Sequence, residues 1–334
     1  MAKAANIPGI DCERSAADGI RLVLTSRLEE MCALREGALN WSDPEGVHDM
    51  RVASRRLRAA LRDFTPQLRK HRLEALLERI KNLADVLGQV RDEDVAIIGL
   101  EKVTKKALPE ISTGIEKFID VHREKQKQAR KQLMKALKPA NLSRLQSDFE
   151  AALQTNVRAP RRVRKQGGAA PSHPTYRELA RSTILKRLDE LEKLSGSLYH
   201  PLKIKPLHRM RIAAKHLRYA LELVEHCWGK SISEFSREVA QLQSSLGELH
   251  DCDIWIDSFG GMLSVSDQHP DRKKSRAQDP DGPAEVWLLT YFVKLRTKHF
   301  RNSLDRWCKW QTNDLSAELR RRIHEIAKDT LKEP

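Results

Sequence analysis

The 334-residue chain has little of what marks the specialised protein classes. No stretch approaches the roughly 18 apolar residues a membrane-spanning helix needs, so such a helix is excluded and no membrane partner is expected. Five cysteines, an odd number without any Cys-x-x-Cys spacing, make no disulfide framework and suit a reducing cytoplasm. The opening Met-Ala-Lys-Ala-Ala-Asn-Ile-Pro lacks the apolar core of a secretory signal, which points to the same compartment. Strand-like alternation is hard to find, and the few glycines and prolines mostly lie between apolar runs. Acidic residues are outnumbered, 46 against 61 Lys and Arg, leaving a net charge of +15 and a pI near 9.7. Such a balance speaks of polyanionic partners and says nothing of fold.

What is there is helical period. From Ser15 to Leu34, Glu45 to Phe64 and Leu73 to Leu87, apolar residues recur at three- and four-residue steps. Pro44, Pro109 and Pro139 punctuate the first part of the chain, and Pro201, Pro206 and Pro283 the second. Helices of about 20 residues joined by short turns predict an all-α protein built of helix bundles.

The sequence also repeats itself. Val47-His48-Asp49-Met50-Arg51-Val52-Ala53 returns as Leu207-His208-Arg209-Met210-Arg211-Ile212-Ala213, an offset of 208 − 48 = 160. The match extends back to Arg27-Leu28-Glu29-Glu30 against Arg187-Leu188-Asp189-Glu190. With one residue lost it runs on to Leu87-Gly88-Gln89-Val90-Arg91-Asp92-Glu93-Asp94 against Leu246-Gly247-Glu248-Leu249-His250-Asp251-Cys252-Asp253. Two homologous bundles are therefore expected, at 15–155 and 175–331, joined by a basic linker at 156–174. Around that junction, Ala151 to Arg177 holds six basic residues and no acidic one. Ser264 to Pro283 reads as a long polar loop inserted in the second bundle.

On a helical wheel Arg51, Arg55, Arg58 and Arg62 fall within an arc of about 80°, with His48 at its edge and Met50, Ala53, Leu57 and Leu61 opposite. The second copy offers His208, Arg211, Lys215 and Arg218, with Glu222 in place of Arg62 and His216 in place of Arg56. Like charges at i,i+4 cost a few tenths of a kcal/mol each, so a uniformly basic stripe implies an anion that neutralises it.

His-x-x-Arg-x-x-x-(Arg/Lys)-x-x-Arg, present twice and followed each time by Leu-Gly-x-x-x-Asp-x-Asp, resembles the CHAD family (conserved histidine α-helical domain) over about residues 15–330. The resemblance implies two pseudo-symmetric four-helix bundles whose basic helices face a central groove or pore that binds inorganic polyphosphate; polyphosphate-granule targeting and regulation are both open as its cellular purpose. By position it implies a ligand set of His48, Arg51, Arg55 and Arg58 with His208, Arg211, Lys215 and Arg218, to which the basic stripe itself adds Arg62. Many relatives carry an N-terminal triphosphate-tunnel domain; no alternating Glu/Lys signature precedes Ser15, so its catalysis is not expected here.

Aligned trios at i, i+4, i+7, Arg123, Lys127 and Arg130 with Lys294, Lys298 and Arg301, are weaker ligand candidates, as are Arg21 and Arg181. No metal is expected: a helical His site wants a second ligand at i+3 or i+4, where Arg51 and Val52, or Arg211 and Ile212, stand. Asp92, Asp94, Asp251 and Asp253 read as structural, Gly88 and Gly247 as loosened helix ends, with an Asp capping the next helix or orienting a basic-stripe Arg. No nucleophile spacing or phosphate-cradling glycine loop is evident, so no cofactor and no catalysis are expected. A phosphoryl-transfer or phosphohydrolase enzyme and a nonspecific nucleic-acid binder are the alternatives. The second is disfavoured because Tyr219 alone among the stripe residues offers a base a stacking platform.

Overall fold

The computed structural model describes residue 5 and residues 7–158, 174–267 and 281–325, and among these it is all-helical. The helices are α1 (Ala16–Ala33), α2 (Arg35–Leu39), α3 (Pro44–Asp63), α4 (Lys70–Thr104), α5 (Pro109–Ala136), α6 (Pro139–Asn156), α7 (Tyr176–Glu192), α8 (Ile204–Trp228), α9 (Lys230–Asp267), α10 (Asp281–Thr312) and α11 (Leu315–His324). Two isolated bridges, Ser15 with Thr175 and Leu68 with Val157, are the extended pairings among the described residues.

Local chemistry sets the starts. Asp43 caps α3 by accepting from the Glu45 N–H at 2.9 Å, and Pro44 takes the first helical position, where no N–H is needed. Ser15 caps α1 through the Ala17 N–H, and Thr175 with Glu178 forms a capping box on α7. Pro109 and Pro139 open α5 and α6. Gly229, at φ +59°, ends α8 in a backbone conformation that L side chains rarely adopt.

α1 packs on α3 and α3 on α4; α7 packs on α8 and α8 on α9; α1 also meets α7, and α3 meets α8. Gly46 lets α2 close on α3, since a Cβ there would lie 2.0 Å from the Gly37 carbonyl oxygen. The main core runs through Ile20, Leu24, Met50, Leu57, Phe64, Tyr176, Leu217 and Leu246. A separate core, with Leu100, Ile115, Phe259, Leu288 and Phe292, joins the far ends of α4, α5, α9 and α10.

Three expectations are corrected, and a fourth falls mostly outside the described residues. Gly88 and Gly247 end no helix: α4 and α9 run through them for 35 and 38 residues. Residues expected in the 264–283 loop belong to α9 up to Asp267 and to α10 from Asp281; 268–280 lie outside the described residues. Most of the expected linker, 159–173, also lies outside them. Finally, Cys12 and Cys227, 215 residues apart, form a disulfide, so the cysteine count no longer argues for a reducing compartment. No helix among the described residues is long and apolar enough to cross a membrane.

Candidate functional site

α3 buries its apolar side completely, with Met50, Leu57 and Ala60 at 0–1% exposure, and thereby turns its arginines toward α4 and α8. There a cavity of about 600 Å³ opens, lined by Arg51, Arg55, Arg58 and Arg62 of α3, by Asp85, Gly88 and Asp92 of α4, and by Lys215 and Tyr219 of α8. Gly88 leaves its wall low: a Cβ there would come 3.9 Å from Arg51 Nε.

Arg51 and Arg58 reach the carboxylates of α4. Arg51 Nη2 donates to Asp92 Oδ1 at 2.8 Å, and Arg58 Nη1 stands 3.8 Å from Asp85 Oδ1. Asp92 therefore orients an arginine fork, one of the two roles read from the sequence. The Arg62 side chain is 37% exposed, yet its Nε and Nη2 are buried and have no hydrogen-bond partner. The nearest carboxylate, Asp63, is 3.7 Å from Nε and is already held by Arg187. Burial, more than Asp63 offsets, holds the Arg62 pKa below the ordinary range. Burial and then the Arg55 charge push Arg51 down to about 10. Lys215 falls to about 8: burial is the largest cause, followed by Arg55, Arg211, Arg62 and Arg58, all positive.

The histidines stand outside the lining. His48 is half-buried beside Arg91, Glu45 and Asp49, and burial followed by the Arg91 charge lowers its pKa. Its ring and the carboxylates of Glu45 and Asp49 offer donor atoms within 4.8 Å of one another. His208 packs on His250, with ring centroids 4.3 Å and Nδ1 atoms 3.3 Å apart. Burial, then Arg211, pushes both below the ordinary histidine value, His250 to about 4. Arg211 interacts with Asp251 and Arg55.

Other sequence candidates go elsewhere. Arg218 is buried at 5% exposure, with Nε on Glu222 at 2.7 Å and Nη1 on Gln243 at 3.1 Å, so it does not line the cavity. Glu222, four residues on, draws it away; that spacing was the available signal. Arg21 and Arg181 donate to the carbonyls of Leu153 and Ile323, in the last turns of α6 and α11, and thus cap helix ends. Arg123 pairs with Glu101 and Asp120, Lys127 with Glu124, and Arg130 lies over the Trp41 ring at 4.9 Å and 3.7 Å from Asp94. Lys294, Lys298 and Arg301 are exposed on α10 and absent from the lining. Asp94 accepts from Gln126 at 2.6 Å and Asp253 from Arg296 at 2.6 Å, both buried.

Sequence reading missed a buried ionic chain across α1, α3 and α8. Arg27 meets Glu30, Glu30 meets Arg56, and Arg56 Nε donates to Glu222 at 3.1 Å. It joins helices rather than facing the cavity. A cluster of cations with unmet donors at one end and carboxylate-oriented forks at the rim is chemically an anion receptor.

A family model described as the CHAD domain matches residues 22–259. Two curated relatives, the uncharacterized proteins Rv2226 and MT2285 of Mycobacterium tuberculosis strains H37Rv and CDC 1551, are each 22% identical over 237 residues, 70% of this chain and 44% of theirs. The chain thus spans less than half the length of those relatives. Among solved structures, the CHAD domain from the plant Ricinus communis matches with a TM-score of 0.65 at 22% identity, over 89% of this chain and 92% of that one. PptA from Streptomyces chartreusis matches with a TM-score of 0.63 at 13% identity, over 88% and 99%. At such identities the likeness is one of fold.

Proposed function

The chain belongs to the CHAD domain family, and on that premise we propose that it binds inorganic polyphosphate, without turning it over, in the cavity between α3, α4 and α8. The observation that carries this reading is the unmet charge: Arg62 keeps two buried donor atoms unpartnered beside Lys215, whose strongest charged neighbours are all positive. Leaving charged donors buried and unpaired is costly, and phosphate oxygens supply both the acceptors and the opposite charge. A chain of phosphates carries about one negative charge per unit and has no base to stack, which fits a wall of five cations whose one aromatic, Tyr219, is 7% exposed.

The internal repeat supports a pairing of like bundles around that cavity. Ser15 and Thr175, 160 residues apart, cap α1 and α7 and bridge to each other; Arg21 and Arg181, at the same offset, cap α6 and α11. We read α1–α6 and α7–α11 as two copies of one bundle, with α3 and α8 as its basic helices.

Calorimetric titration with polyphosphate of defined length, set beside duplex DNA at equal phosphate concentration, tests the function. Saturable polyphosphate binding that DNA fails to displace is expected. Displacement by DNA favours the nucleic-acid alternative, and steady release of phosphate with a divalent metal favours the phosphoryl-transfer one.

A further inference from the structure

The turn that leads into α8 differs in kind from its counterpart ahead of α3. At the 160-residue offset, Ser42, Asp43, Pro44 and Glu45 correspond to Leu202, Lys203, Ile204 and Lys205. One turn is polar and acidic; the other is apolar and basic. Tyr199, Leu202 and Ile204 are 60%, 86% and 45% exposed, three large apolar side chains within six residues. His200, Lys203, Lys205 and Arg209 around them are exposed too, and no acidic residue occurs from Lys193 to Leu221.

The tip is built rather than loose. Leu198 is buried beneath it, and successive turns close from His200 N–H to Ser197 and from Lys203 N–H to His200. Arg296, fixed on Asp253 at 2.6 Å, donates Nη2 to the Pro201 carbonyl at 2.8 Å. Exposed apolar groups clustered on an ordered turn and ringed by one sign of charge mark a contact surface.

We propose that the Tyr199–Lys205 tip docks the protein reversibly on an anionic lipid surface. The chemistry matches that partner group by group. Leucine and isoleucine enter the boundary of headgroups and acyl chains, the tyrosine ring sits at headgroup depth, and lysines hold their ammoniums in the anionic layer. Neither signal alone anchors a protein stably, but together they give reversible, salt-sensitive attachment. The expectation of no membrane partner rested on the lack of a spanning stretch and leaves such a surface contact open. The tip is separate from the cavity lining, so the proposal does not depend on polyphosphate being the cavity's ligand.

The test is co-sedimentation of the full chain with vesicles of phosphatidylcholine alone and of phosphatidylcholine with about a third phosphatidylglycerol. The protein is expected to pellet with the anionic vesicles only, and to be released as salt rises. Leu202→Asp and the pair Lys203→Glu/Lys205→Glu should each lower the bound fraction fivefold or more, with unchanged circular dichroism, since these side chains are exposed. Arg55→Gln/Lys215→Gln, in the cavity, should bind vesicles as wild type does. Three results overturn the proposal: wild type remaining in the supernatant; tip variants pelleting like wild type while the cavity pair does not; or a dimer, measured by light scattering, that Leu202→Asp dissolves with vesicle binding unchanged.

Discussion

The Lys215 ammonium stands among Arg55, Arg58, Arg62 and Arg211, and burial first and those charges second bring its pKa from 10.5 to about 8. In the free protein it therefore loses its proton as pH rises through about 8, and a bound polyanion opposes that loss. Polyphosphate affinity should weaken between about pH 7 and 9, and Lys215→Arg, which stays charged, should flatten the dependence. Stability runs the other way. The unfolded chain binds the Lys215 proton up to its ordinary pKa of 10.5 and the folded chain only to about 8, so the penalty is whole below pH 8 and is relieved as pH climbs above it. Calorimetric Kd values and melting curves at pH 7, 8 and 9 check both trends; a wild-type pH dependence persisting in Lys215→Arg would place it on other groups. At this scale the sequence was legible where a residue's own helix decides its direction, as for Arg51, Arg55 and Arg58. It was not legible where a neighbour decides. Arg218 turns to Glu222 and Gln243, and His48 lies beside Arg91 instead of lining the cavity.

α3 and α8 are braced against each other by Glu222, which is 15% exposed at its side chain and shared between Arg56 of α3 and Arg218 of α8. Glu222→Leu leaves two buried guanidiniums with only part of their compensation and should cost about 3 kcal/mol. Urea melts of the variant measure this, and a transition at the wild-type midpoint would show the brace to be idle. Leu57→Ala, on the dry side of α3 at 0% exposure, should cost about 2–5 kcal/mol with the cavity arginines left in place. In α9 the opposite sign is expected. Gly247 lies mid-helix, and a Cβ there meets nothing within 4 Å, so Gly247→Ala should stabilise by about 1 kcal/mol. A glycine ending a helix at positive φ would be destabilised by that change, so the melting temperature decides directly between the continuous helix and the break its sequence suggests. The break was misread because glycine's cost is local, whereas the packing of α9 on both α8 and α10 acts along its length.

Across the whole molecule, charge of one sign gathers where two helices from distant parts of the chain approach. Arg55 and Lys215 are 160 residues apart in sequence and close enough for the Arg55 charge to lower the Lys215 pKa. The repeat made two basic helices legible, because apolar period and arginine spacing are both written locally. What it does not carry is pairing at long range: the Cys12–Cys227 bond and the Arg187–Asp63 pair join positions that no periodicity links. Binding through phosphate contacts releases counterions, so affinity should fall about tenfold or more between about 50 and 200 mM salt. An affinity indifferent to salt would mean a ligand held by other contacts. The most direct test of the cavity as the polyphosphate site is the affinity of Arg55→Gln/Lys215→Gln, measured by calorimetry in one buffer beside wild type. Both residues face mutual repulsion in the free protein, so the variant should melt at the wild-type temperature or slightly above it. It should bind polyphosphate at least about tenfold more weakly, a loss of about 1.4 kcal/mol. Wild-type affinity in a variant that folds normally would contradict the account and move the site elsewhere.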